Sequence, residues 1–121
     1  MNFFKNLFSK SEPFVPTPTQ AVPGLEPIVV QAIENLFPNI EDQKQAFEYS
    51  LKYKKANKDD TPLALLALLL GNNGKIENLV DLNSPDLHIR VKYILYDYGW
   101  SNMKSAEKWV KSITKPQTEN S

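Results

Sequence analysis

The amino-acid sequence predicts an all-α fold, a compact bundle of five or six short helices preceded by an extended, proline-rich N-terminal arm. Three observations support this prediction. Apolar residues recur at helical spacing through most of residues 28–114. Proline and capping residues stand where the helices would begin, and glycine stands where several would end. Finally, five of the nine prolines fall within residues 11–27, where they disfavour a helix.

The chain divides into four segments by composition. Residues 1–10 form a short amphipathic peptide that is expected to dock on another surface. Residues 11–27 are a proline-rich linker, residues 28–114 the helical domain, and residues 115–121 a polar, flexible tail. A folded unit of about ninety residues is large enough to keep a core without disulfides or a structural metal.

The first helix is predicted over residues 27–37, and Pro38 ends it because the residue before a proline disfavours the α region. The second helix begins after Asn39, which is a favourable N-cap residue. Each helix has an apolar stripe at helical spacing that is expected to be buried. The first stripe consists of Val29, Val30, Ile33, Leu36 and Phe37, and the second of Ile40, Phe47 and Leu51.

The third predicted helix is the most apolar stretch of the chain, with Thr61 as its cap and Pro62 at the first helical position. Residues 63–70 are all apolar, and Gly71 is expected to end the helix in a left-handed conformation. Eight helical residues rise only about 12 Å, which is far less than a bilayer requires. A helix that is apolar on every side must be surrounded by others, so this one is predicted to be the centre of the core.

Three further helices complete the predicted bundle. The first is short and carries Ile76, Leu79 and Val80. The next is expected to be capped by Ser84 and to end at Gly99, and the last to be capped by Ser101. Their apolar faces consist of Leu87, Val91, Ile94, Leu95 and Tyr98 in one helix and of Met103, Ala106, Val110 and Ile113 in the other.

Composition excludes several kinds of chemistry. The chain has no cysteine and one histidine, so thiolate zinc sites, cysteine nucleophiles and two-histidine metal motifs cannot form. The segment Gly71–Lys75 contains the Gly-Lys pair of a phosphate-binding loop, but Leu69 stands in place of the motif's first glycine and Ile76 in place of its Ser or Thr. We therefore expect a non-enzymatic protein with no catalytic residue, metal ligand, cofactor or small-molecule substrate. Without a secretory signal or a spanning stretch, the expected location is the cytoplasm.

Residues 93–113 resemble the helix-turn-helix of DNA-binding domains, because a helix, a glycine-containing turn and a second helix follow one another. The resemblance implies a nucleic-acid contact through four basic residues: Arg90, Lys104, Lys108 and Lys111. The whole chain nevertheless has 14 basic and 14 acidic residues, whereas polyanion binders usually carry a basic excess. Nucleic acid is therefore the less favoured partner.

Residues 75–99 resemble one unit of a HEAT or armadillo helical repeat. Pro85 and Asp86 occupy the turn of such a unit, and Ile89 and Arg90 the aliphatic–arginine pair that opens its second helix. The resemblance implies two short antiparallel helices. Lys92 and Tyr93 replace the small residues expected midway down the second helix, and no second copy of the unit occurs in the chain.

Two groups of apolar residues are candidate contacts with a protein partner. In the N-terminal peptide a helix would place Phe3, Phe4, Leu7 and Phe8 on one face. Late in the chain the candidates are aromatic residues of the kind that is enriched in interfaces, namely Tyr93, Tyr96 and Trp100. We expect a small structural or accessory subunit of a larger assembly, of the kind that a phage or plasmid encodes. Contact of residues 1–10 with a membrane surface is a second, less favoured possibility.

Overall fold

The computed structural model describes residues 15–57 and 61–113 of the 121-residue chain, with the side chain of Thr61 left out. Within these ranges all regular structure is helical, which confirms the predicted all-α class. The described residues form five α-helices, α1 (Pro27–Leu36), α2 (Ile40–Ala56), α3 (Thr61–Leu70), α4 (Leu87–Tyr98) and α5 (Met103–Ser112), and one 3₁₀ turn, Ile76–Asn78. None of the helices in these ranges is long and apolar enough to cross a membrane.

Helix α3 is the centre of the core, as predicted. Residues 65–70 are each at most 1% exposed. It is also the only helix of the described part that has Cα atoms within 8 Å of every other one. A ten-residue helix made almost entirely of leucine and alanine therefore has apolar neighbours on all sides, which is what its composition requires.

Helix α1 packs on α3 through the predicted stripe. Pro27 is the first helical residue, where its missing N–H removes no hydrogen bond. The N–H of Phe37 donates to the carbonyl of Ile33, and Pro38 then prevents the helix from continuing. Phe37 itself is fully buried, while Leu36 is half-buried.

Helix α2 begins as predicted but turns a different face to the core. The side-chain oxygen of Asn39 accepts hydrogen bonds from the N–H groups of Glu41 (2.8 Å) and Asp42 (3.4 Å). The predicted stripe was wrong at Ile40, which is 61% exposed, and at Leu51, which is 37% exposed, whereas Phe47 is half-buried against the core. The buried residues are instead Ala46, Ser50 and Tyr53. Small side chains let this helix lie close to its neighbours, and the buried Ser50 hydroxyl donates to the carbonyl of Ala46 at 2.8 Å.

The turn after α3 differs from the prediction at Gly71. The left-handed residues are Asn73 and Gly74, whereas Gly71 keeps a negative φ. Gly71 is needed for a close approach, because a Cβ there would lie 2.7 Å from the side chain of Ile94 and 2.9 Å from the carbonyl oxygen of Ala67. The glycine thus allows the end of α3 to pack tightly against α4.

The loop from residue 75 to residue 86 contains less helix than predicted. Only the 3₁₀ turn forms where a short helix was expected, and Ser84 accepts from the N–H of Asp86 without starting a helix there. The side chain of Asp81 accepts from the N–H of Asn83 at 3.0 Å, a local turn that competes with helical hydrogen bonds. Because only α4 is a true helix in residues 75–99, the paired helices of a HEAT or armadillo unit are not present.

Helix α5 buries Ala106 and Val110 on the predicted face. Its cap is one residue later than predicted. The backbone N–H of Ser105 donates to the side chain of Asn102 at 3.2 Å, so Asn102 rather than Ser101 satisfies the first turn.

The described part of the proline-rich segment, residues 15–26, lies along α1 instead of hanging free. The N–H of Thr17 donates to the side-chain carbonyl of Gln31 at 2.7 Å. Both carboxylate oxygens of Glu34 are also engaged, one by the N–H of Thr19 at 2.9 Å and the other by the Thr19 hydroxyl and the Gln20 amide. We call residues 17–20 the strap. It fixes the point at which the N-terminal segment leaves the helical domain.

Candidate functional site

Helix α4 lies at the periphery of the domain. Of the described helices, only α3 has Cα atoms within 8 Å of it. Its buried residues are Leu87 and Val91, and Ile94, Leu95 and Tyr98 pack half-buried against the same core. One face of α4 therefore packs against α3, and the opposite face is exposed to solvent.

The C-terminal end of α4 is held by a group of aromatic residues. The Tyr98 hydroxyl donates to the carbonyl of Leu70, the last residue of α3, at 3.0 Å. The Tyr98 ring stacks on Trp100 with centroids 4.9 Å apart and lies 5.4 Å from the ring of Trp109 in α5. Burial, and secondarily the negative charge of Asp97, raise the pKa of Tyr98, so the hydroxyl keeps the proton that it donates.

Trp100 belongs to this core and not to an outer surface. Gly99 adopts a left-handed conformation (φ 68°), and its N–H donates to the carbonyls of Leu95 and Tyr96. This cap turns the chain back toward the domain, where Trp100 is only 8% exposed. The placement corrects the sequence-based grouping of Trp100 with Tyr93 and Tyr96 as contact residues.

We expect Tyr98→Phe to lower the free energy of unfolding by about 1 kcal/mol near neutral pH, because the Leu70 carbonyl loses its side-chain donor while the ring stack is kept. Chemical denaturation of both proteins measures the difference. A tyrosine whose pKa is raised in the folded state stabilises the protein below its unfolded pKa of 10.0, and this contribution is lost as pH rises through the folded pKa. The difference between the two proteins should therefore shrink above about pH 10. An equal difference at pH 7 and pH 11 would contradict the raised pKa of Tyr98, and no difference at pH 7 would contradict a stabilising hydrogen bond to Leu70.

The outward face of α4 carries three large apolar side chains in line. Ile89 is 54% exposed, Tyr93 63% and Tyr96 84%. Because successive residues are rotated by about 100° around the helix axis, the centre of this row lies about 180° around the axis from the centre of the buried pair Leu87 and Val91. The solvent-facing side of a peripheral helix is normally polar, so the row, called here the outer stripe, is the feature of α4 that folding alone does not require.

Charged residues flank the outer stripe. Arg90 and Asp97 lie on one side of it, and Lys92 lies on the other. All three are exposed. The stripe therefore has an apolar centre with a charged rim, which is the usual composition of a protein–protein contact.

The four basic residues of the predicted nucleic-acid site, Arg90, Lys104, Lys108 and Lys111, are all exposed. The backbones of the two helices of the predicted helix-turn-helix are not close to each other, since no Cα atom of α4 lies within 8 Å of a Cα atom of α5, although the rings of Tyr98 and Trp109 meet between them. In a helix-turn-helix the two helices contact each other across a short turn, and the contact fixes the recognition helix. Here α4 and α5 each have Cα atoms within 8 Å of α3 but not of each other, so their backbones do not form the close helix pair of that motif.

The described surface includes a cleft beside α2 and a shallower hollow beside α5. A cleft of about 390 Å³ lies between α2 and the loop of residues 76–83. The Tyr49 hydroxyl at this cleft finds no hydrogen-bond partner among the described residues, and burial, followed by Tyr53 and Asp81, raises its pKa. A shallower hollow of about 340 Å³ adjoins Trp109. Within the described ranges, no group of three or more His, Cys, Asp or Glu side chains is placed to hold a metal ion.

Sequence reasoning named two members of the outer stripe and missed the third. Tyr93 and Tyr96 were predicted as contacts because of their residue type. Ile89 was read only as part of a repeat-like pattern, although its offsets of four and seven from the tyrosines place it on their face. The other predicted contacts, Phe3, Phe4, Leu7 and Phe8, lie outside the described residues.

Comparison of the chain with protein-family models, with curated proteins and with solved structures finds no match in any of the three.

Proposed function

We propose that this small helical protein is a non-enzymatic interaction subunit that binds another protein chain through the outer stripe of α4. The single observation that carries the proposal is the solvent-facing row of Ile89, Tyr93 and Tyr96, each more than half exposed, directly opposite the core-facing side of the same helix. The helix that carries the row is held to α3 at its C-terminal end by the hydrogen bond from the Tyr98 hydroxyl to the Leu70 carbonyl, and the Gly99 cap completes its last turn.

The residue types of the stripe suit a protein contact. Aromatic residues supply a large contact area with few rotatable bonds, and tyrosine is among the residues most enriched in interface hot spots. A partner that covers these side chains gains about 25 cal/mol of binding free energy for each Å² of apolar surface removed from water. The charged rim of Arg90, Lys92 and Asp97 would then orient the partner more than it would add affinity.

The N-terminal peptide provides a second contact in this proposal. Phe3, Phe4, Leu7 and Phe8 would lie on one face of a helix formed on a partner. A ten-residue helix is marginal in water, and ordering it costs about as much as burying four such side chains yields, so one peptide should bind weakly. A cytoplasmic assembly with several copies of this subunit is the setting in which such a peptide would be useful.

Site-specific photo-crosslinking in the cells that make the protein tests the proposal. A photoreactive phenylalanine analogue replaces Tyr96 in one variant and Ile40 in the other, since Ile40 is a comparably exposed apolar residue (61%) on a different helix. We expect defined protein adducts from position 96 and none of the same mass from position 40. The adducts should disappear when Ile89→Ser and Tyr93→Ser are added to the position-96 variant, because these changes remove the rest of the stripe.

Two outcomes would contradict the proposed function. One is the absence of any protein adduct from position 96. The other is the same set of adducts from positions 96 and 40, because a crosslinker that reacts equally at both positions detects solvent exposure and not binding at the stripe. Circular dichroism of each purified variant provides the control that substitutions at these exposed positions leave the fold intact.

A further inference from the structure

We infer that the partner bound by the outer stripe is a second copy of this chain, with the two α4 helices packed antiparallel about a two-fold axis. The inference rests on the proposed function and names the occupant of the surface. It is carried by the arrangement of charges beside the stripe, together with the peripheral position of α4, whose Cα atoms come within 8 Å of those of α3 alone among the described helices.

The spacing of the stripe suits helix-to-helix packing. From Ile89 to Tyr93 is four residues and from Tyr93 to Tyr96 is three, the alternation that places side chains along the seam between two helices. In that pattern Arg90 and Asp97, seven residues apart, occupy equivalent positions on the same edge of the seam. Charges at such positions set the partner and the orientation of paired helices.

The two edge charges are complementary to themselves under two-fold symmetry. An isologous contact makes the same residues meet in both directions, and in an antiparallel pair the same edges of the two helices lie side by side. The midpoint between Arg90 and Asp97 falls between Tyr93 and Ile94, close to the middle of the stripe. A two-fold axis there places Arg90 of each copy next to Asp97 of the other, so one contact forms two ion pairs.

The same axis also distributes the apolar side chains favourably. Tyr93 of both copies lies near the centre, and Ile89 of one copy lies toward Tyr96 of the other, so an aliphatic side chain packs with an aromatic one at each end. A parallel pair would also place a cation, Lys92, opposite Asp97, but it would bring Tyr96 against Tyr96 and would align the helix dipoles unfavourably. The antiparallel pair is therefore the arrangement that this surface favours.

The expected dimer is weak. Stable interfaces bury roughly 800 Å² on each partner, whereas one fully buried aromatic side chain accounts for about 150–250 Å². The stripe offers one aliphatic and two aromatic side chains that are already partly covered, so the contact falls in the small, transient class. We expect a dissociation constant in roughly the 10–1,000 µM range.

Sedimentation equilibrium of the full chain over about 10 µM to 1 mM measures this association directly. The average mass should rise with concentration from 13.8 kDa toward twice that value. Ile89→Ser should raise the dissociation constant by roughly tenfold or more, and Ile40→Ser, the same chemical change at an exposed site on α2, should leave it unchanged. A chain that stays monomeric over the whole range would overturn the inference.

Charge reversal tests the antiparallel arrangement. R90E and D97R should each weaken self-association by roughly tenfold, because two attractive pairs become two repulsive ones. The double variant R90E/D97R should regain the affinity of the original chain. An equimolar mixture of the two single variants should also associate, since each chain then supplies the charge that the other lacks.

The outcomes separate this inference from the proposed function. An effect of D97R without an effect of R90E would indicate the parallel pair and contradict the antiparallel one. Failure of the double variant to recover would show that these charges do not face each other.

In the crosslinking experiment, adducts from position 96 at masses other than twice that of the chain would support a protein-binding surface while refuting a second copy as its occupant. Association through the N-terminal peptide would not respond to reversals at positions 90 and 97.

Discussion

Leu66→Asp is expected to unfold the domain. Leu66 is 0% exposed, and its helix α3 is the one on which every other described helix packs. A carboxylate there would be buried in a core whose side chains are mostly apolar, and because Asp is smaller than Leu it would also leave a cavity. The combined penalty is comparable with the roughly 5–15 kcal/mol that stabilises a typical domain. Circular dichroism should report loss of helicity and of the cooperative melting transition.

Leu63→Asp provides the matched control for this prediction. The substitution is chemically identical and lies on the same helix, but Leu63 is half-buried and stands in the first turn, where a negative charge interacts favourably with the helix dipole. We expect this variant to remain folded with a lowered melting temperature. Unchanged helicity and melting in Leu66→Asp would mean that α3 is not the centre of the core.

Gly74→Ala is expected to have the second largest effect, a loss of roughly 3 kcal/mol or more in the free energy of unfolding. Two costs combine at this position. Gly74 has a φ of 76°, which disfavours any residue with a Cβ, and the added Cβ would overlap the backbone carbonyl of Leu36 at the end of α1. A backbone carbonyl in a packed helix end cannot rotate away as a long side chain can. The turn after α3 and the end of α1 would have to separate.

Gly99→Ala isolates the first of these costs. Gly99 has nearly the same backbone angle (φ 68°), but a Cβ there meets no atom within 4 Å. We expect a loss of about 1 kcal/mol, since only the left-handed conformation is penalised. Denaturant titration of both variants gives the two free energies, and equal losses would contradict the proposed overlap with Leu36.

The parts of the fold that the sequence predicted are those in which the apolar residues are large and regularly spaced. Helix α3 was predicted as the core because its side chains leave no polar face. Helix α2 was assigned the wrong face, since Ala46 and Ser50 are small and give little hydrophobic signal although they occupy the buried side. Close approach of two backbones favours small side chains, and spacing rules for large apolar residues do not detect such a face.

The candidate surface was predicted in part, for a similar reason. The sequence singled out Tyr93 and Tyr96, which are exposed, together with Trp100, which is buried. What separates them is the left-handed cap at Gly99, which returns the chain to the core one residue before Trp100. A glycine after a helix predicts that the chain turns, but the direction in which the next side chain points depends on the packing of Tyr98, Trp100 and Trp109.

The strap sets how far the proposed docking peptide can reach. Because Gln31 and Glu34 hold residues 17–20 against α1, only the chain before Thr17 is available as a tether. Phe8 precedes Thr17 by nine residues, so it can lie at most about 30 Å from that anchor. The anchor lies on α1, which has no Cα atom within 8 Å of α4, the helix of the proposed dimer contact. In such a dimer, binding of one N-terminal peptide raises the effective concentration of the other at a nearby site on the same partner. Two weak contacts then give tight binding only where the partner's two sites are close enough together for both short tethers to reach them.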